Sequence, residues 1–139
     1  GRGPTVRMTP MRTAVALLLQ NPQFAPRLPE DHPALTGGLA GAGLLADLRA
    51  RALADPAITT ARLLEAWHDP SEQTHLERLA AHPFATDAEG DRDEALAREF
   101  DDALVRLAEQ RRQARRNELY AASEERALTE AEKQELRGL

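Results

Sequence analysis

Apolar residues along this chain recur at three- and four-residue intervals, and no segment alternates apolar with polar over the length of a strand. That pattern predicts helices and no sheet. Between Thr9 and Pro22, Met11, Ala14, Val15, Leu17, Leu18 and Leu19 cover most of a helix circumference, so the first helix is expected to be buried nearly all round. Thr9 suits its N-cap and Pro10 its first position, where the missing N–H has no partner to lose. Pro22 to Arg27 predicts a short second helix ending before Pro29. Residues 29–41, with Pro29, Pro33, Gly37, Gly38 and Gly41, read as a loop. Leu44, Leu45, Leu48, Ala52 and Leu53 mark one face of a third helix stopped at Asp55 and Pro56. Thr59 or Thr60 caps a fourth, holding Leu63, Leu64 and Trp67. Ser71 opens a fifth, which turns Leu76, Leu79 and Ala80 inward and closes at Pro83, with Phe84 as a core plug beyond.

The last third has a different rhythm. From about Asp91 the sequence runs as one helix to the neighbourhood of Ser123 without glycine or proline, a span of about 50 Å at ~1.5 Å per residue. Asp91, Asp93 and Glu94 fall in its first turn, where the helix dipole favours acids. Leu96, Phe100, Leu104 and Leu107 give its first half a core face; no large apolar residue follows until Leu119 and Tyr120. A helix that loses its apolar stripe midway has left the core it packs on. Leu128 then precedes Thr129, Glu130, Ala131 and Glu132, a capping-box pattern that starts a final helix with Leu136 and Leu139. The expected fold is therefore all-α: an N-terminal helical bundle, residues 1–112, joined by a long helix to a C-terminal helical hairpin, residues 113–139. Such a hairpin is below the ~40 residues needed to bury its own stable core. Docking on another protein would complete it; a frayed tail is the other reading.

Composition narrows the function. Ala, Leu, Arg and Glu dominate and aromatic residues make up 4%, which suits helices packed with small side chains. The absence of cysteine excludes disulfides and thiolate metal sites and fits a cytoplasmic protein. No apolar run approaches membrane-spanning length and no signal peptide is visible. The opening Gly-Arg-Gly in place of Met predicts an excised piece of a longer protein. A net charge of −5 argues against a general nucleic-acid binder. Two stretches run the other way: Arg2, Arg7 and Arg12 before any acid, and Arg106, Arg111, Arg112, Arg115 and Arg116 against Glu109 alone. The second cluster is a solvated helix face or, alternatively, the contact surface of a nucleic-acid-binding module.

No catalytic constellation emerges. Gly41, Gly43 and Ala46 mimic a dinucleotide fingerprint but lack the strand that would aim the turn at a pyrophosphate. His32, His68, His75 and His82 lack metal-ligand spacing and read as surface or loop residues. Asp87, Glu89, Asp91 and Asp93 resemble a calcium loop, with Gly90 misplaced and the closing Glu missing. Asp101 and Asp102 point in different directions on a helix. No catalytic residue, metal or cofactor is expected.

Taken in order, the segments resemble the C-terminal helicase-binding domain of bacterial, DnaG-type DNA primase. They are Thr9–Pro22; Leu39 to Leu45 followed by Leu48; Thr59 to Glu65; Leu76 to Leu79; and Leu128 to Lys133. The resemblance covers nearly the whole chain and implies a non-catalytic fragment of a primase. It implies a bundle and a terminal hairpin, the hairpin gripping the N-terminal domains of the hexameric replicative helicase through Leu119, Tyr120, Leu128, Leu136 and Leu139. It also implies that the bundle holds the acidic, apolar C-terminal tail of single-stranded DNA-binding protein, at Arg7, Met11, Arg12, Val15 and Arg78. Arginines there would pair carboxylates over a pliable apolar floor, with the three arginines converging on one rim. Pro10 replaces a hydrogen-bonding residue of some relatives.

Overall fold

The computed structural model describes residues 7–85 and 90–139; Arg2, Asp87 and Glu89 lie outside them. Among the described residues every regular element is helical, as the spacing predicts. α1 (Pro10–Gln20) is capped by the Thr9 hydroxyl, which accepts from the Arg12 N–H at 3.2 Å. Its residues 14–19 are all buried, so it forms the axis of the bundle. A 3-10 helix (Pro22–Arg27) follows. Residues 29–41 are not wholly loop, for they include a four-residue helix, α2 (Pro33–Thr36). The His32 imidazole caps it, Nδ1 accepting from the Ala34 N–H at 3.0 Å. Burial lowers the pKa of His32 and favours the neutral form that can accept.

α3 (Ala42–Ala54) turns Leu45, Leu48 and Ala52 into the core and leaves Leu53 at 39% exposure. α4 (Thr60–Leu64), capped by Thr59, is a single turn, and buried Trp67 lies beyond its end. α5 (Pro70–Ala80) begins one residue before Ser71: Asp69 accepts from the N–H groups of Ser71 and Glu72, with Pro70 at the first position. Phe84 and Ala80 flank the core half-buried, Phe84 edge-on to His82. The end of α1 fixes α5, because Gln20 Nε2 donates to the carbonyls of Leu79 (3.1 Å) and His82 (2.8 Å). Thr60 Oγ1 likewise donates to Leu19 O at 2.6 Å. The bonds to Leu19 O and His82 O serve carbonyls that helix ends leave open, while Leu79 O also accepts from the His82 N–H at 3.2 Å.

α6 (Arg92–Glu125) is one continuous helix of 34 residues, capped by Asp91. Its first half lies against α1, burying Leu96, Phe100, Leu104 and Leu107. Phe100 meets Phe24 at 5.8 Å, and Arg27 forms a two-pronged pair with Asp101 (2.6 and 3.0 Å). The contiguous core stops at Leu107, where the apolar stripe lapses in the sequence. The second half of α6 pairs with α7 (Glu130–Gly138).

Candidate interaction surfaces

Two features of this fold can meet a partner: a pocket on the bundle and the hairpin made by α6 and α7. The pocket arises where α1, α5 and the turn into α3 meet. Gly41 makes that turn with φ +90°, a left-handed conformation that disfavours side chains. A Cβ there would lie 2.7 Å from Met11 Cγ, so the missing side chain lets Met11 approach the backbone. The resulting cavity of about 360 Å³ is lined by Thr9, Met11, Arg12, Val15, Ala40, Gly41, Leu44, His75 and Leu79. Its lining is thus largely apolar, with the Arg12 guanidinium, the His75 imidazole and the capping Thr9 hydroxyl as its polar side-chain groups.

The structure brings Met11, Arg12 and Val15 together at this pocket; Val15 is almost fully buried in its base. Arg7 and Arg78 are exposed and do not line it. Arg7 acts through its backbone, its carbonyl accepting from Arg12 Nη1 at 2.7 Å and so holding the guanidinium at the rim. The polar residue that α5 contributes to the lining is His75 in place of Arg78. Leu79 one turn on is buried, and its spacing to residue 75 carries the signal for this placement.

The hairpin is built differently. Thr129 and Glu132 form the reciprocal capping box: Glu132 N–H donates to Thr129 Oγ1 at 3.1 Å and Thr129 N–H to Glu132 Oε1 at 2.9 Å. Arg126 grips the same carboxylate with two bonds of 2.8 Å. Arg126 and the capping bonds lower the pKa of Glu132 to about 2. Across the hairpin Arg115 holds Glu135 by bonds of 2.6 and 2.9 Å and also reaches Glu118 at 3.0 Å. Hydrogen bonding from Arg115 lowers the pKa of Glu135 as well. α7 buries no residue of its own.

The apolar residues expected to grip a partner divide. Leu119 is 1% exposed and supports the hairpin from within, outside the contiguous bundle core. Tyr120 is 54% exposed, while Leu128, Leu136 and Leu139 are half-buried with part of each side chain at the surface. The arginine cluster is partly occupied. Arg115 is tied to α7, and Arg111 lies over Gly37, where a Cβ would overlap its side chain, and approaches Glu118 at 3.7 Å. Arg116 donates to Gln113 at 2.8 Å. Arg106 and Arg112 are exposed. Among the described residues no group of His, Asp and Glu could hold a metal ion, and no helix is long and apolar enough to cross a membrane.

The family described as DNA primase DnaG DnaB-binding matches residues 11–139. A DNA primase of Salmonella typhimurium is 32% identical over 134 residues, covering 96% of this chain and 22% of that protein. One of Escherichia coli is 30% identical over 133 residues with the same coverage. One of Pasteurella multocida is 41% identical over 76 residues, 55% of this chain and 13% of that protein. The chain thus spans about a fifth of the length of these relatives. The crystal structure of the DnaG primase C-terminal domain from Vibrio cholerae superposes with a TM-score of 0.70 at 29% identity, covering 94% of this chain and 90% of that one.

Proposed function

The chain belongs to the DnaB-binding family of DNA primase DnaG, and on that premise we propose that it couples a primase to the replication fork by holding two partners on two surfaces. The matched region is the non-catalytic part of such a primase. The hairpin is the grip on the N-terminal domains of the replicative helicase hexamer. The observation that carries this reading is a helix that leaves its core after Leu107 and pairs with an α7 that buries nothing itself. Such an element is economical only when a partner covers what it leaves open. Tyr120, Leu128, Leu136 and Leu139 are the contact residues, Leu119 sets the hairpin's shape, and the boundary between bundle and hairpin falls near residue 112.

The bundle pocket is the seat for the C-terminal tail of single-stranded DNA-binding protein. Its apolar floor accepts an apolar end group and Arg12 a carboxylate; the exposed Arg78 and Arg7 add long-range attraction for an acidic tail. The domain uses no cofactor in this role, works in the cytoplasm, and makes no strong direct contact with nucleic acid. Calorimetric titration of purified helicase into the full chain and into a chain ending at residue 112 tests the division. Helicase should bind the full chain alone, and equal binding to both would move the grip to the bundle. An acidic peptide should bind both equally, weakly, and less well as salt rises.

A further inference from the structure

We propose that His75 is a carboxylate-binding residue of the bundle pocket, acting opposite Arg12, so that the pocket holds an acidic, carboxylate-terminated peptide more tightly as pH falls from 8 to 5.5. The proposal rests on the reading of this pocket as a peptide seat and adds a residue and a regulation to it.

Three observations carry it. His75 comes from α5 and Arg12 from α1, so these two side chains line the cavity from different helices, beside apolar Met11, Val15, Leu44 and Leu79; the third polar side chain, Thr9, is engaged as the cap of α1. The imidazole is half-buried and has no hydrogen-bond or ion-pair partner among the described residues, so its ring nitrogens are free for a ligand. α5 is held in register by the two bonds from Gln20 to the carbonyls of Leu79 and His82, which fixes the helix that presents the ring.

The surrounding charges set the sign. From α1 the pocket receives Arg12; from α3 and the turn before it come Ala40, Gly41 and Leu44, which carry no charge. On α5 itself Glu72 and Arg78 stand one turn to either side, both exposed. Among the described residues no carboxylate therefore lines the cavity to compete with an incoming anion. A histidine changes charge within the range pH 5–8, whereas the carboxylates of an acidic peptide stay ionised there. Protonation converts an ordinary hydrogen bond into a charge-assisted one, roughly twice as strong.

The test uses the full chain and a fluorescent peptide of three aspartates followed by three apolar residues with a free terminal carboxylate, read by anisotropy from pH 8.0 to 5.5. The parent chain should tighten by about fivefold over that range. His75→Gln should flatten the profile at the weak end, and His75→Arg at the tight end. Arg12→Gln should weaken binding at every pH and keep the slope. If Arg12→Gln weakens binding while His75→Gln leaves affinity and slope intact, the assignment of His75 is overturned and the pocket stands. If the peptide fails to bind, or binds regardless of Arg12, the pocket reading falls and this inference with it.

Discussion

The bundle and the hairpin share one helix, α6, yet different forces hold them. Around α1 the bundle packs leucines, alanines and two phenylalanines into a continuous buried cluster, and burial of apolar area is its chief stabilising term. Past Leu107 the same helix meets α7 through Arg115–Glu135, with Arg126–Glu132 and a capping box securing the turn and Leu119 as the one fully buried apolar side chain. Exposed ion pairs contribute little individually and are screened by salt. The lesson is that the bundle rests on a contiguous apolar core, whereas the hairpin is held by one buried leucine, a capping box and exposed ion pairs, and its remaining apolar positions are proposed to meet a partner.

The largest effect that would break this comparison lies in the core. Phe100→Ala should destabilise the bundle by about 3–5 kcal/mol, from lost transfer energy plus a cavity against Phe24. A thermal melt of the variant checks it, and an unchanged midpoint would mean that α6 is not part of the bundle core.

Leu119→Ala should act locally. Removing the hairpin's fully buried leucine costs about 2–5 kcal/mol at a packed site, more than an exposed nine-residue helix can withstand unaided. Amide exchange should then show α7 unprotected while α1 and α5 keep their protection. Loss of protection in α1 would join the two regions into one cooperative unit.

Gly41→Ala sharpens the account of the pocket. It places a Cβ at φ +90° and against Met11, a strain of about 1–3 kcal/mol. The melting temperature should drop and peptide affinity fall, measured by calorimetry on the same variant.

Acid should separate the regions with a smaller but signed effect. The pKa values of Glu132 and Glu135 are lowered by their arginine partners, that of Glu132 from the ordinary 4.5 to about 2. Their contribution is therefore complete above the unfolded value and is lost as pH falls through the folded one. Between pH 4.5 and 2, α7 should open first, seen as loss of its NMR helical shifts before those of α1. Simultaneous loss would remove the distinction.

Local chemistry made much of this architecture legible. Thr9 with Pro10, Asp91, and Thr129 with Glu132 mark helix starts because caps act within three residues. The end of the apolar stripe at Leu107 likewise announces where α6 leaves the core. α2 was hidden because its cap is the imidazole of His32 rather than a hydroxyl or carboxylate, inside a segment rich in glycine and proline. α5 starts at Pro70 rather than Ser71 because Asp69 and Ser71 are both competent caps and the proline decides between them. The site was less legible, since its members are distant in sequence. Which side chain of α5 faces the pocket follows from the burial of Leu76 and Leu79, and His75, one turn before Leu79, lines it while Arg78 does not. The partner of Arg115 stands twenty residues away on α7, and this pairing with α7 accompanies the burial of Leu119 but not of its neighbour Tyr120.

The most direct test of the central claim, that the hairpin grips the replicative helicase, is calorimetric titration of the helicase hexamer into the full chain carrying Leu128→Asn and Leu136→Asn together. Each leucine covered at an interface contributes about 2 kcal/mol, so affinity should fall roughly a thousandfold, while the bundle's melting temperature stays within a degree or two of the parent's. Unchanged affinity would contradict the account, and so would a collapse of the melting temperature, which would return both leucines to the bundle.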